Sequence, residues 1–410
     1  MGKKQFKDPV YGYINIDNDI VANIIDTPAF QRLKDIRQTS YTPLFPSAYH
    51  NRFVHSLGVY HLGQIAFHSI KTQLVEYSAG TALEGKVDIL QQTFELACLL
   101  HDVGHAPFSH TGETFFLDKN QTLFTLLKES VDNADFANDF DALGAKKPAS
   151  HGCMSCVVGI RRFVSYFDTS LQKSFFSRCI IGMPFRTKMI PEPDLSLPES
   201  PERSEKLRKI AELRSCNKAI ELCNCVINLL NSSIIDVDRL DYIIRDSATI
   251  GFKNAQVDYM RLLEGLRIVK DGKKLCIGYH KNAISVIESA VYAHDAEKKW
   301  VQGHPTILYE MEALKNAMST LTNIFSSPSD TNPLFCYEAL TEDGKELKIT
   351  KQLFSENAQK LLVEQKLLTE EARLLLEQGD LFNCEANIDF TSGIVEQKYH
   401  VSLLADEDFL

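Results

Sequence analysis

Tryptophan is nearly absent from the 410 residues, with Trp300 the only one, and no apolar run is long enough to cross a bilayer. Leu96 to Leu100 is typical of the longest. Lys3 and Lys4 are followed by no apolar stretch of the kind that marks a secretory signal, so a cytosolic protein is expected. Positive charge is also in short supply. The 44 Lys and Arg are outnumbered by 54 Asp and Glu, and a net charge of −10 argues against a dedicated nucleic-acid-binding face. Anionic substrates stay open, because a metal ion can reverse the field inside a cleft. Repeats and low-complexity tracts are missing. The ten cysteines lack the setting of a disulfide framework. Cys153 and Cys156 form one CxxC, and Cys223 and Cys225 follow, but a second ligand pair at zinc spacing is not found.

What is present is an ordinary globular balance, 44% apolar and 24% charged, with length for one large domain or two smaller ones. Helical periodicity dominates. Ile20, Val21, Ile24, Ile25, Phe30 and Leu33 mark a buried face, which Thr27-Pro28 interrupts by starting a new helix with Thr27 as N-cap. Ile89, Leu90, Phe94, Ala97 and Leu100 mark another helix, running straight into His101. Residues 215–246 read as two helices, the second capped by Asp236, and 281–325 reads as helical. Strand signals are few. One hairpin is expected around Asp271-Gly272, with further strands at 334–349 and 397–403. The Pro-, Ser- and Glu-rich segment 189–205 reads as an exposed loop. The expected fold class is mostly α, a helical core over 1–325 followed by a smaller mixed α+β region over 326–410, in which 353–376 has apolar spacing suited to a core or an interface.

The chemistry concentrates in LLHDVGHAPFSH, which holds His101, Asp102, His105 and His110. A His-Asp pair is a weak signal alone. Here it ends an apolar helix, and Gly104 and Pro107 let the backbone bend behind it. NRFVHSLGVYHLG supplies His55 upstream and DVDRLDYIIRD supplies Asp238 downstream. Two imidazoles and two carboxylates suit Mn²⁺, Fe²⁺, Zn²⁺, Ni²⁺ or Mg²⁺ rather than a soft metal.

The order H…HD…D resembles the HD superfamily of metal-dependent phosphohydrolases. Within it, DPVYGYI (8–14), IIDTPAFQRLKDIRQ (24–38), FPSAYHNRFVHSLGVYHLG (45–63), HDVGHAPFSH (101–110) and DVDRLDYIIRDSATIG (236–251) are similar to the deoxynucleoside-triphosphate triphosphohydrolase branch. That resemblance implies a helical HD core and cleavage of a dNTP to deoxynucleoside and triphosphate. One divalent ion would be held by His55, His101, Asp102 and Asp238, with a second Mg²⁺ accompanying the triphosphate. It implies phosphate contacts from Arg52 and Arg239, acid–base roles for His105, His110 and His151 with Glu113 as acidic partner, a sugar-facing Tyr242 and Asp246, and a nucleotide contact from Gln38. His294 and Gln302, with Lys298 nearby, stand where the family has an Arg and a Tyr that bracket substrate. Gly152 replaces an acidic residue after His151. Lys4, Asp26, Gln31 and Lys34 fall where an activating NTP or dNTP binds in regulated members, Lys34 replacing an Arg. Relatives assemble as dimers to hexamers, so a homo-oligomer is expected, with dNTP-pool homeostasis or antiviral or antiphage defence as the role.

Other residues have plainer readings. Asp236 is read as a cap, Asp241 as structural, His61 and His68 as ordinary, His50 as either structural or functional, and Trp300 as core. Two other functions are weighed: an HD phosphohydrolase acting on a nucleoside monophosphate or a cyclic or signalling nucleotide, and a nonenzymatic nucleotide sensor.

Overall fold

The computed structural model describes residues 2–39, 41–42, 44–106, 108–115, 121–191, 201–231, 235–252, 256–272 and 274–325. The expected C-terminal region over 326–410, with its strands and its apolar spacing at 353–376, lies outside the described residues.

The chain starts with an antiparallel hairpin, β1 (Lys3–Asp8) and β2 (Gly12–Asp17). Asp8 shapes its turn, accepting from the backbone N–H groups of Val10 and Tyr11. Ile14 and Ile16 alternate inward from β2, a two-residue period too short to stand out in the sequence. α1 (Asn18–Ile20), a π-turn over Val21–Ile25 and α2 (Pro28–Gln31) follow. Pro28 stands at the first position of α2 as expected, although the Thr27 hydroxyl donates back to the Ile24 carbonyl instead of capping forward.

α3 (Arg52–Ser78) is the axle of the molecule. Asn51 caps it by accepting from Val54 N–H, an arrangement that contributes about 1 kcal/mol. Residues on all sides of its first four turns are buried, so it is enclosed rather than laid on a surface. It packs against α4 (Val87–Leu100), α9 (Pro201–Leu230), α10 (Val237–Ile250) and β3 (Leu266–Asp271). α5 (Gln121–Val131), α6 (Ala134–Asp141), α7 (Ser150–Arg162) and α8 (Ser170–Ile181) build the side beyond α4. α11 (Tyr259–Glu264) leads into β3, which pairs with β4 (Lys274–Tyr279) as the Asp271-Gly272 signal predicts. α12 (Ile284–Glu297), a π-turn over Lys298–Gln302 and α13 (Pro305–Phe325) complete the described chain. The mostly α expectation holds, with two two-stranded sheets among the described residues. No described helix is long and apolar enough to cross a membrane.

Three sequence readings need correction. The loop read over 189–205 extends too far, because α9 begins at Pro201, where proline suits a first helical turn and Glu205, Arg208 and Glu212 pair along one face. The helical reading of 281–325 misses a break, since the π-turn and Gly303 separate α12 from α13. Trp300 is 58% exposed on that π-turn, not in the core.

Candidate metal centre and active site

Three elements converge on one point. α3 presents His55 from its first turn, the end of α4 presents His101 and Asp102, and the first turn of α10 presents Asp238. Asp236 caps α10 by accepting from Arg239 N–H, as expected. His55 Nε2 lies 3.2 Å from His101 Nε2 and 3.1 Å from Asp238 Oδ1. Asp102 Oδ2 lies 3.7 Å from His55 Nε2 and 3.6 Å from His101 Nε2, and Asp238 Oδ1 lies 3.6 Å from His101 Nε2. His55, His101 and Asp102 are buried, and Asp238 stands at the rim.

Both tautomers are set from behind. His55 Nδ1–H donates to Asp241 Oδ2 at 2.7 Å, and His101 Nδ1–H donates to the Cys98 carbonyl at 2.9 Å. Each Nε2 is thereby the nitrogen left to face a cation, and the two Nε2 atoms face each other beside two carboxylate oxygens. Donor atoms about 2.1 Å from a shared ion are separated by about 3 Å at right angles, so this set fits a divalent cation. The field agrees. Burial opposes charge on His55, yet hydrogen bonds to Asp238 and Asp241 outweigh it and push the imidazole up to about 10, so the pocket attracts a cation strongly. Burial raises the Asp102 carboxyl, but Arg52, His101 and His105 together hold it well below the carboxylate range.

Beyond Asp102 the chain turns through Gly104, where a Cβ would stand 2.2 Å from Ser155 N. Gly104 N–H donates to Ser155 Oγ, which clamps the turn to α7. Against this turn lies a second cluster, His105, His110, Glu113 and His151, with donor atoms all within 4.8 Å. The His105 and His151 rings stack at 4.3 Å and 13°, which keeps their lone pairs parallel rather than convergent. That suits proton handling better than metal binding. Glu113 Oε1 accepts from Nδ1 of both His110 (2.6 Å) and His151 (2.9 Å), leaving their Nε2 atoms as acceptors. Burial works against charge on Glu113, but the two imidazoles hold its carboxyl well below the usual range. Burial and Arg52 depress His105 strongly, although its Nε2 lies 3.3 Å from Asp102 Oδ1.

Residues 52–137 match the family model described as HD domain, a span that takes in His55, His101 and Asp102. The chain carries an HD domain. It is 30% identical over 280 residues to the chicken deoxynucleoside triphosphate triphosphohydrolase SAMHD1 and 29% over 276 residues to the zebrafish protein, each alignment covering 67% of this chain and 38% of the relative. It is also 27% identical over 287 residues to the uncharacterized protein MG461 of Mycoplasma genitalium, covering 69% of this chain and 52% of that protein. The chain thus spans about two fifths to half the length of these relatives.

Around the HD cluster, the structure gathers some expected residues and separates others. Arg52 is buried, with Nη1 2.5 Å from Asp102 Oδ2 and both Nε and Nη2 donating to Ser109 Oγ. Phe108 and Ser109 adopt left-handed backbone, with φ of 63° and 57°, an uncommon pair that delivers the Ser109 hydroxyl to that guanidinium. Arg239 ion-pairs with Asp236 at 3.4 Å. Gln38 Oε1 is fully buried without a partner. Tyr242 is partly buried near Asp238, and Asp246 is buried with Oδ1 2.5 Å from His50 Nε2. Gln302 donates to Glu297, whereas His294 contacts its neighbour Asp295 and Lys298 is exposed. At the N-terminal end, Lys4 and Asp26 approach to 3.9 Å, Gln31 donates to the Ile25 carbonyl, and Lys34 lies over the Phe53 ring.

The structural label given to Asp241 understates it, because it orients His55. Behind it, Arg245 donates from Nε to Asp241 Oδ2, and its Nη1 reaches Asp8 Oδ2 at 2.9 Å. The spacing 238, 241, 245 along one helix face was the available signal. Ser109 had none, since only the left-handed turn reveals its partner.

Proposed function

We propose that this HD domain belongs to a metal-dependent dNTP triphosphohydrolase, converting a dNTP and water to deoxynucleoside and triphosphate. The observation that carries the reading is the convergence of four lone-pair donors, on His55, His101, Asp102 and Asp238, beside three imidazoles not needed to hold the ion. The activity for which the vertebrate relatives are named supports the substrate class. A bound Mn²⁺, Fe²⁺, Zn²⁺, Ni²⁺ or Mg²⁺ would polarise a phosphorus–oxygen bond and lower the pKa of its water.

The side chains would divide the remaining work. Arg52, already aligned by Asp102 and Ser109, would bind phosphate as a planar donor fork, with Arg239 at the rim. Glu113 holds Nδ1–H of His110 and His151, so a proton arriving at either Nε2 creates an imidazolium beside a carboxylate and can pass to the leaving 5′-oxygen. His105, kept neutral by burial, fills the space between that pair and Asp102. Gln38 offers a buried carbonyl oxygen to the nucleotide, with Tyr242 and Asp246 at the sugar and His294, Lys298 and Gln302 along the wall. An activating nucleotide at Lys4, Asp26, Gln31 and Lys34, at an interface between copies of the chain, belongs to the same reading, as does a cytosolic role in lowering dNTP pools.

The test is a screen of all four dNTPs with each metal, with and without a second nucleotide. Triphosphate as product, lost on chelation and restored by metal, supports the assignment. Orthophosphate or pyrophosphate alone points to another HD phosphohydrolase, and binding without turnover under every condition to a sensor.

A further inference from the structure

Glu297 is a buried acid, 1% exposed, at the last turn of α12, and no role assigned above uses it. Its surroundings come from three other elements. Asp246 and Tyr242 reach it from α10, Tyr41 from the segment before α3, and Gln302 from the π-turn that follows α12. Gln302 Nε2–H donates to Glu297 Oε1 at 3.1 Å. The other oxygen, Oε2, is fully buried with no N–H or hydroxyl aimed at it. The Asp246 carboxyl, itself 1% exposed, faces Glu297 from α10. Asp246 already takes His50 Nε2 on Oδ1. The charged groups behind Asp246, namely Asp241, Arg245 and His55, belong to the ion-pair chain described above.

Two carboxylates cannot share a dry contact of this kind while both are ionised; one must carry a proton and donate it. Gln302 donates to Glu297, and His50 faces Asp246 through Nε2, so the proton that completes the pattern sits on Glu297. We propose that Glu297 works as a neutral carboxylic acid that accepts from Gln302 and donates to Asp246, thereby positioning two residues of the substrate wall that come from different elements. Burial, reinforced by the negative charge of Asp246, pushes the Glu297 carboxyl far above the usual range, in keeping with that role. Ionising it at alkaline pH would set two negative charges against each other and part α10 from the π-turn. The functional half of this inference rests on the dNTP-hydrolase reading; the protonation half does not.

Three experiments separate those halves. Difference infrared spectra of the substrate-free protein at neutral pH are expected to contain the C=O stretch of a protonated carboxyl, lost in Glu297→Gln. A wild-type spectrum without that band overturns the proposal whatever the enzyme hydrolyses. Unfolding against pH is a companion readout. Because the folded-state pKa lies above the ordinary value of 4.5, this group favours folding fully below that value, and the contribution fades as pH climbs. Glu297→Gln should flatten that alkaline decline, and an unchanged slope counts against the proposal. With a substrate established, Glu297→Ala should raise KM on the order of tenfold with a smaller effect on kcat, because it leaves a buried charge short of a donor. Glu297→Gln, which keeps a neutral donor and an acceptor, should restore KM at neutral pH. If Gln is as damaging as Ala, the negative charge is what matters, and the neutral-acid role is wrong.

Discussion

Asp241 Oδ2 accepts the Nδ1–H of His55 at 2.7 Å, and through that one contact the imidazole is held with its other nitrogen pointed at His101. Asp241 is anchored in turn by Arg245 and, beyond it, by Asp8 of the N-terminal hairpin. The candidate metal centre therefore has a support that begins at Asp8 and is buried throughout.

Replacing Asp241 with Asn tests that support. An amide can accept from His55 only through its oxygen and cannot balance Arg245, so the ring loses its enforced tautomer. Metal affinity is expected to fall by about 10- to 100-fold, the usual effect of losing an outer partner of a ligand. Metal content of the purified protein, with titration of the stripped protein, measures it. Wild-type affinity would show that Asp241 serves the fold alone.

Glu113→Gln should act on catalysis and spare the metal. The variant can no longer accept from both His110 and His151 while balancing a proton gained by either. Turnover should fall by about 10²- to 10⁴-fold, the range of a general acid–base contribution, with metal content unchanged. Loss of metal along with activity would place Glu113 in the wrong role.

How much of this was readable beforehand depended on what adjacency in the chain can carry. His101 and Asp102 are neighbours followed by a glycine, so the pair announced itself. His55 and Asp238 could be joined to it only through their place in a resembling pattern. Among Asp236, Asp238 and Asp241, the capping role of the first is legible from its place before the helix, but that the third faces His55 is not, because it depends on how α10 crosses α3. The β1–β2 hairpin was hidden because only Ile14 and Ile16 alternate inward, and Trp300 reached the surface because a π-turn rotated it there. Glu297 was passed over because a single glutamate on a helix ordinarily faces solvent.

Gly58→Ala probes the crossing itself. A Cβ there would stand 1.9 Å from Asp241 Oδ1 and 2.4 Å from Arg245 Nη2, both in a buried ion pair with little freedom to move. The expected loss is about 1–3 kcal/mol of stability, as for overpacked cores. Urea unfolding with an unchanged m-value would record it, and a neutral result would mean that α3 and α10 can slide apart.

His50 supplies a pH dependence on the acid side. Burial first, then the Arg245 charge, lowers its imidazole from 6.5 to about 4. The unfolded chain takes up this proton more readily than the folded one, so stability should fall as pH drops from about 6.5 towards about 4. His50→Gln should flatten that window in a thermal-melt series. An identical slope in the variant would assign the decline to other groups.

Gly104 has a consequence for how such a centre can vary. The backbone of Ser155 presses against the face where any other residue would carry its first carbon. A single methyl group there would lever the opening turn of α7 outward and carry His151 off the ring of His105. The gap between the two histidine clusters is therefore gauged by a hydrogen atom. A lineage that changed this residue would have to re-seat an entire helix to keep both halves of the chemistry in register.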